Sequence, residues 1–113
     1  MTEVFDRDSA LAAFGKDSIL RAVVTIYLEE AEFARARLQE SLASHDLEKL
    51  RETAHWLKGG FSTLHAPAAR EAAASLESAC DRQASFDEME PLARRLLEEM
   101  DRLRAFLDSQ EPV

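Results

Sequence analysis

Apolar residues recur along this chain at intervals of three and four, in blocks separated by turn-forming residues. The clearest block is Leu47, Leu50, Ala54, Leu57, Phe61 and Leu64, a 3-4-3-4-3 series without a gap. That spacing puts every member on one helical face and predicts a helix from Leu47 to about His65. Leu20, Val23, Val24, Tyr27, Ala31, Ala34, Leu38 and Leu42 form a longer stripe, predicting a helix from about Asp17 to Ala43. Ala69, Ala72, Ala73, Leu76, Ala79 and Cys80 predict an alanine-rich helix over about Ala68 to Gln83, whose small side chains let a neighbour approach closely. Leu92, Leu96, Met100, Leu103 and Leu107 predict a last helix from about Glu88 to Leu107. A short helix over about Asp8 to Phe14 precedes them all, with Asp6 or Asp8 as its cap.

The breaks have local causes. Ser44-His45-Asp46 is a turn in which Asp46 can cap the following helix. Pro67 suits the first position of a new helix, and the residue before it is pushed away from helical geometry. Pro91 is comfortable only in a first turn, which places the last helix start close to it. No repeat, low-complexity tract or linker interrupts the pattern, and Gln110 to Val113 are expected to fray. Four long amphipathic helices joined by short turns predict an all-α, antiparallel up-and-down four-helix bundle. The short additional N-terminal helix then caps one end, and residues 1–113 form a single domain.

Composition narrows the function. The net charge of −8 argues against nucleic acid and anionic membrane surfaces as partners. No apolar run approaches the roughly 20 residues of a membrane span, and the acidic N-terminus does not resemble a secretory signal. A single cysteine, Cys80, excludes an internal disulfide and fits a reducing cytoplasm as a small core residue. With only Gly15, Gly59 and Gly60, neither glycine-rich nucleotide-binding loop can be built.

Against that scarcity, Gly59 and Gly60 stand together inside a predicted helix, where each costs about 0.8–1.0 kcal/mol relative to alanine. His55 falls about 130° from the core stripe of the same helix. It shares an exposed face with Glu48, Arg51, Glu52, Lys58, Gly59 and Ser62. Neutral imidazole is nucleophilic near pH 7 and can carry a phosphoryl group. Lys58 at i+3 can offset the charge on that group. Gly59 at i+4, with Gly60 and Ser62, keeps the surface flat enough for a partner's backbone to close on His55. No second acid, base or metal ligand is evident beside it. Trp56 is expected on the opposite flank, packed against a neighbouring helix. His45 and His65 are expected to have no chemical role.

The stretch AHWLKGGFSTLHA, Ala54 to Ala66, resembles the signature of histidine-containing phosphotransfer (HPt) domains, A-H-x-L-K-G-S-x-x-N-L-G-A. Ala54, His55, Leu57, Lys58, Gly59, Leu64 and Ala66 match it, while Thr63 stands where the family often has asparagine, His65 where it often has glycine, and Phe61 where a smaller residue is common. Phe14-Gly15-Lys16-Asp17, Ser44-His45-Asp46 and Leu76-Glu77 extend the likeness over nearly the whole chain. The resemblance implies a phosphorelay intermediate of two-component signalling. His55 would accept a phosphoryl group from a receiver-domain aspartate and pass it to another receiver. The partners implied are receiver domains of response regulators or of hybrid histidine kinases. Mg²⁺ would sit in the receiver, and this chain would need no cofactor, kinase activity or nucleotide site of its own. A freestanding cytoplasmic monomer is the expected form.

Docking candidates are Ile26 and Phe33, which with Ile19 recur every seven residues off the main stripe, together with Arg51 and Glu52. The second stripe has two readings, packing against the short first helix or contact with the receiver. Rival functions also remain. Glu52-x-x-His55 has the spacing of di-iron bundles but lacks the second copy such sites need. A kinase dimerisation hairpin would be a tight dimer with acidic residues and proline after the histidine. A helical adaptor without phosphotransfer would share the fold.

Overall fold

The computed structural model describes residues 2–109, which are all-α: five helices and, among these residues, no strand. They are α1 (Arg7–Phe14), α2 (Asp17–Ser44), α3 (Leu47–Leu64), α4 (Pro67–Asp81) and α5 (Phe86–Ser109). The expected fraying of Gln110 to Val113 lies outside the described residues.

Local chemistry sets the ends. Asp6, rather than Asp8, caps α1: its carboxylate accepts from the Ser9 backbone N–H at 3.1 Å and the Ser9 hydroxyl at 2.7 Å. Those bonds, the hydroxyl's first, hold its carboxyl below the usual range. Asp46 caps α3 by accepting from the Lys49 N–H at 3.0 Å. His45 and His65 end α2 and α3 in left-handed geometry, with φ of 56° and 59°. Histidine tolerates that region better than most side chains, so α3 stops at Leu64, one residue before the expected end. Both turn histidines thus have a structural task, and the His45 ring also stacks on Phe86 with centroids 4.3 Å apart.

α5 begins at Phe86, so Pro91 lies in its second turn and not, as expected, in its first. The carbonyl deprived of a donor belongs to Asp87; Asp87 and Pro91 are both exposed, and water can take the free acceptor.

Each of α2 to α5 packs on its neighbour in sequence, α2 also meets α5, and α1 rests on α2. The stripes read from the sequence face inward. Leu38, Leu50, Leu57, Phe61, Leu64, Leu76, Leu96 and Leu103 are almost wholly shielded. Val23, Val24 and Leu42 are half-buried at the margins. The α4 alanines are buried throughout their stripe, and Cys80 sits in the core with its sulfur 3.6 Å from that of Met89. Burial raises its thiol pKa, which disfavours the thiolate form. The 28 residues of α2 span about 42 Å and account for the 43 Å long dimension. Ahead of α1, the Asp6 N–H donates to the His65 carbonyl at 2.7 Å, and the Ala68 N–H donates to the Glu3 carbonyl at 2.9 Å. Phe5 is buried against Phe106. The N-terminal segment is therefore tied across the α3–α4 turn.

Replacing the fully buried Leu57 with alanine is expected to destabilise the protein by about 2–5 kcal/mol. Phe33→Ala, on the exposed side of α2, is expected to change stability by less than about 0.5 kcal/mol. Urea unfolding of both variants checks the assignment of inner and outer faces.

Candidate functional site

α3 presents three faces: a core stripe, a flank turned to α4, and a flank turned to α2. His55 lies on the α4 flank with its side chain 65% exposed, as its angle to the stripe predicts. Its Nδ1 is 2.6 Å from Oε2 of Glu77 on α4. The other oxygen of that carboxylate, Oε1, is 2.5 Å from Nζ of Lys58. Glu77 itself is only 8% exposed. The expectation of no second acid near His55 is thus corrected, and so is that of a solvated Lys58, whose ammonium is held by a nearly buried carboxylate.

The arrangement has a chemical consequence. Burial pushes the Glu77 carboxyl up, but hydrogen bonds from Lys58 and His55, and their charges, outweigh burial and hold it below its ordinary range. An ionised carboxylate only accepts hydrogen bonds, so Nδ1 must be the donor. In the neutral ring this fixes the tautomer: Nδ1 carries the proton, and Nε2 keeps a lone pair on the open side. Glu77 was legible only as half of the Leu76-Glu77 pair. Its place, 22 residues away on an alanine-rich helix, gave no periodic signal.

The glycines meet no internal demand. A Cβ added at Gly59 or Gly60 would touch nothing within 4 Å. Neither glycine is needed to let another helix approach, which leaves external access as the physical account. One turn further on, the Ser62 hydroxyl accepts from Nε of Arg70 on α4 at 2.7 Å. Ser62 is thus tied to a cation that sequence spacing did not place there. The Thr63 hydroxyl donates back to the Gly59 carbonyl at 3.1 Å.

The α2 flank of α3 holds the remaining candidates. Trp56 is 47% exposed, a correction to the expected packing. With Phe33, 77% exposed, it walls a groove of about 350 Å³ that Glu30, Arg37, Glu52 and Thr53 also line. Trp56 faces the groove toward α2, where Ala34 also lines it. Ile19, Ile26 and Phe33 are all exposed, so the second stripe is not packed under α1. Phe33 and Glu52 share the groove, while Ile26 stands two turns away along α2 and is not part of its lining. Arg51 belongs to the opposite flank, where it pairs with Asp81 of α4. Among the described residues no cluster of three or more His, Cys, Asp or Glu could hold a metal ion.

Because the folded Glu77 carboxyl lies below its ordinary 4.5, the stability it contributes is complete above about pH 4.5. It is lost as pH falls through the lowered folded value. Urea midpoints compared at pH 7 and pH 3 are expected to fall further for the wild type than for Glu77→Gln; equal falls would show that Glu77 is not held ionised by its neighbours.

The chain is similar in fold to the crystallised HPt domain of an Hpt sensor hybrid histidine kinase from Shewanella. The TM-score is 0.83 at 22% identity, over 97% of both chains. No curated protein matches it closely. The family model described as Hpt domain matches residues 22–106, a span that holds His55, Lys58, the glycine pair and Glu77. This chain therefore belongs to the Hpt domain family, the histidine phosphotransfer modules of phosphorelays.

Proposed function

We propose that His55 is the phosphoryl carrier of this Hpt domain, taking the group from one receiver-domain aspartate and returning it to another. The observation that carries this reading is the exposed imidazole anchored at Nδ1 by a nearly buried carboxylate. The Nε2 lone pair attacks the phosphorus of an aspartyl phosphate. An N–P bond forms as the P–O bond breaks, and the aspartate carboxylate leaves with the bonding electrons. The ring becomes cationic while keeping its Nδ1 proton, and Glu77 stabilises that charge through the same hydrogen bond. Transfer onward reverses these steps. Lys58 uses one of its three N–H donors on Glu77, which leaves others to meet phosphoryl oxygens.

Gly59, Gly60 and Ser62 give the receiver room to approach. Phe33 and Glu52 offer it a docking surface on the α2 side, with Ile26 further along α2 and Arg51 on the α4 flank. Mg²⁺ and the acidic pocket belong to the receiver in this reading, so the chain brings no cofactor. We also infer one domain over residues 1–113, acting as a cytoplasmic monomer, with α2 to α5 running up and down as an antiparallel four-helix bundle. Turns of two, two and four residues between packed neighbours support that topology. No helix among the described residues is long and apolar enough to cross a membrane.

Incubation with a phosphorylated receiver domain is expected to label the wild type and not His55→Gln. A protein that takes no label from any receiver encoded in its own genome would instead be a helical adaptor. Lys58→Ala is expected to slow transfer and, by leaving Glu77 with one partner, to cost about 1–3 kcal/mol of stability. Gly59→Leu is expected to keep or raise stability while blocking transfer, since its side chain meets open space inside the protein and a partner outside it; normal transfer by that variant would remove the access explanation.

A further inference from the structure

We propose that Arg51 is a second cation of the phosphoryl site, one that leaves Asp81 and takes hold of the phosphoryl group once His55 carries it. This rests on the phosphotransfer reading and adds to it a group that stabilises the loaded state.

The seam between α3 and α4 is a polar ladder. Residues one turn apart on α3 meet residues one turn apart on α4 in reverse order: Arg51 bonds to Asp81, and His55 to Glu77. Two turns further on, Ser62 meets Arg70. Before loading, the charges around the imidazole balance, with Arg51 and Lys58 set against Asp81 and Glu77. A phosphoryl group at Nε2 brings about two negative charges. The ring beneath it gains one positive charge, which Glu77 already meets. Lys58 is then the cation at hand, and it stays bound to the nearly buried Glu77 carboxylate. The loaded site is short of one cation.

Two more stand on α3. Lys49 turns to Glu40 of α2, whereas Arg51 lies on the flank of His55 itself, four residues before it. Residues four apart on a helix have Cβ atoms about 5–6 Å from each other. A helical side chain also leans toward the N-terminal turn, which for His55 is the turn of Arg51. The hydrogen bond to Asp81 and the charge of Asp81 raise the Arg51 pKa, and the charge of Glu77 adds to them. Arg51 is thus within electrostatic reach of the carboxylate that anchors the imidazole. Its pair with Asp81 is readily given up, because both side chains are about half exposed and such pairs contribute little. A guanidinium presents paired N–H donors that fit phosphoryl oxygens, which a single ammonium does not. Asp81 holds Arg51 in the resting protein, and the phosphoryl group holds it in the loaded one.

The test loads the protein with phosphoramidate, which needs no partner. The phosphorus NMR signal of the phosphohistidine is followed from about pH 5 to about pH 8, with circular dichroism to verify folding. A cation on the phosphoryl oxygens favours the dianion. Arg51→Ala is therefore expected to raise the titration midpoint by about half a pH unit, and Arg51→Lys by less. Asp81→Asn removes the competing anion and is expected to lower the midpoint. In R51A/D81N that lowering should vanish, leaving the midpoint of R51A alone. The transfer equilibrium with a receiver domain should move in step, about threefold toward the phosphorylated receiver for R51A. A midpoint for R51A equal to that of the wild type would overturn the proposal. So would a lowering by D81N that persists in full without Arg51, since the Asp81 charge would then act on the group directly. If the wild type takes no label, the phosphotransfer reading and this proposal fail together. If it is labelled, His55→Gln is not, and the midpoint is indifferent to Arg51, only this proposal fails.

Discussion

One carboxylate organises the functional face of this protein. Glu77 is nearly buried on α4, yet it remains ionised because α3 delivers an imidazole to one oxygen and an ammonium to the other. Burying a charge without partners is strongly unfavourable, so the two α3 side chains and the α4 carboxylate hold one another in place. The same contacts that settle this charge decide which imidazole nitrogen is protonated and which is free. Structural necessity and chemical readiness are here one arrangement.

The rest of α3 divides the labour by angle. Its core stripe supplies Leu50, Leu57, Phe61 and Leu64 to the interior, which fixes the helix against its neighbours. One flank then meets α4 and carries the histidine, and the other borders an uncovered groove toward α2. Gly59 and Gly60 interrupt the exposed surface although no internal neighbour requires them to be small. Helix propensity is given up at a position where the interior gains nothing by it. A histidine of ordinary chemistry becomes a usable one through what surrounds it: an anchor behind, a cation beside, and bare backbone ahead.

Much of this was legible in the chain. The 3-4 spacing on α3 located the core face and, by subtraction, the exposed position of His55. Helix ends were legible to within about two residues, because Asp46 and Pro67 announce themselves. The left-handed ends at His45 and His65 were not, since histidine in that geometry has no distinctive sequence signal. Glu77 was missed as a partner for a different reason. Contacts between helices depend on relative rotation, and no periodicity within α3 reports what α4 turns toward it. Trp56 was misplaced by assuming that a large ring finds cover; it borders an open groove instead. Lys58 was placed beside His55 on the exposed face, but its partner, the same Glu77 carboxylate, was invisible for that same rotational reason.

The alanines of α4 acquire a second meaning from this geometry. Ala69, Ala72, Ala73 and Ala79 are buried, and they let the two helices lie close together. They behave as a spacer of fixed thickness, holding a short carboxylate side chain within bonding range of the opposite helix. Bulkier residues there would lengthen the gap between the two backbones before they touched the imidazole itself. The reactivity of one surface nitrogen is in that sense gauged by methyl groups hidden in the interior.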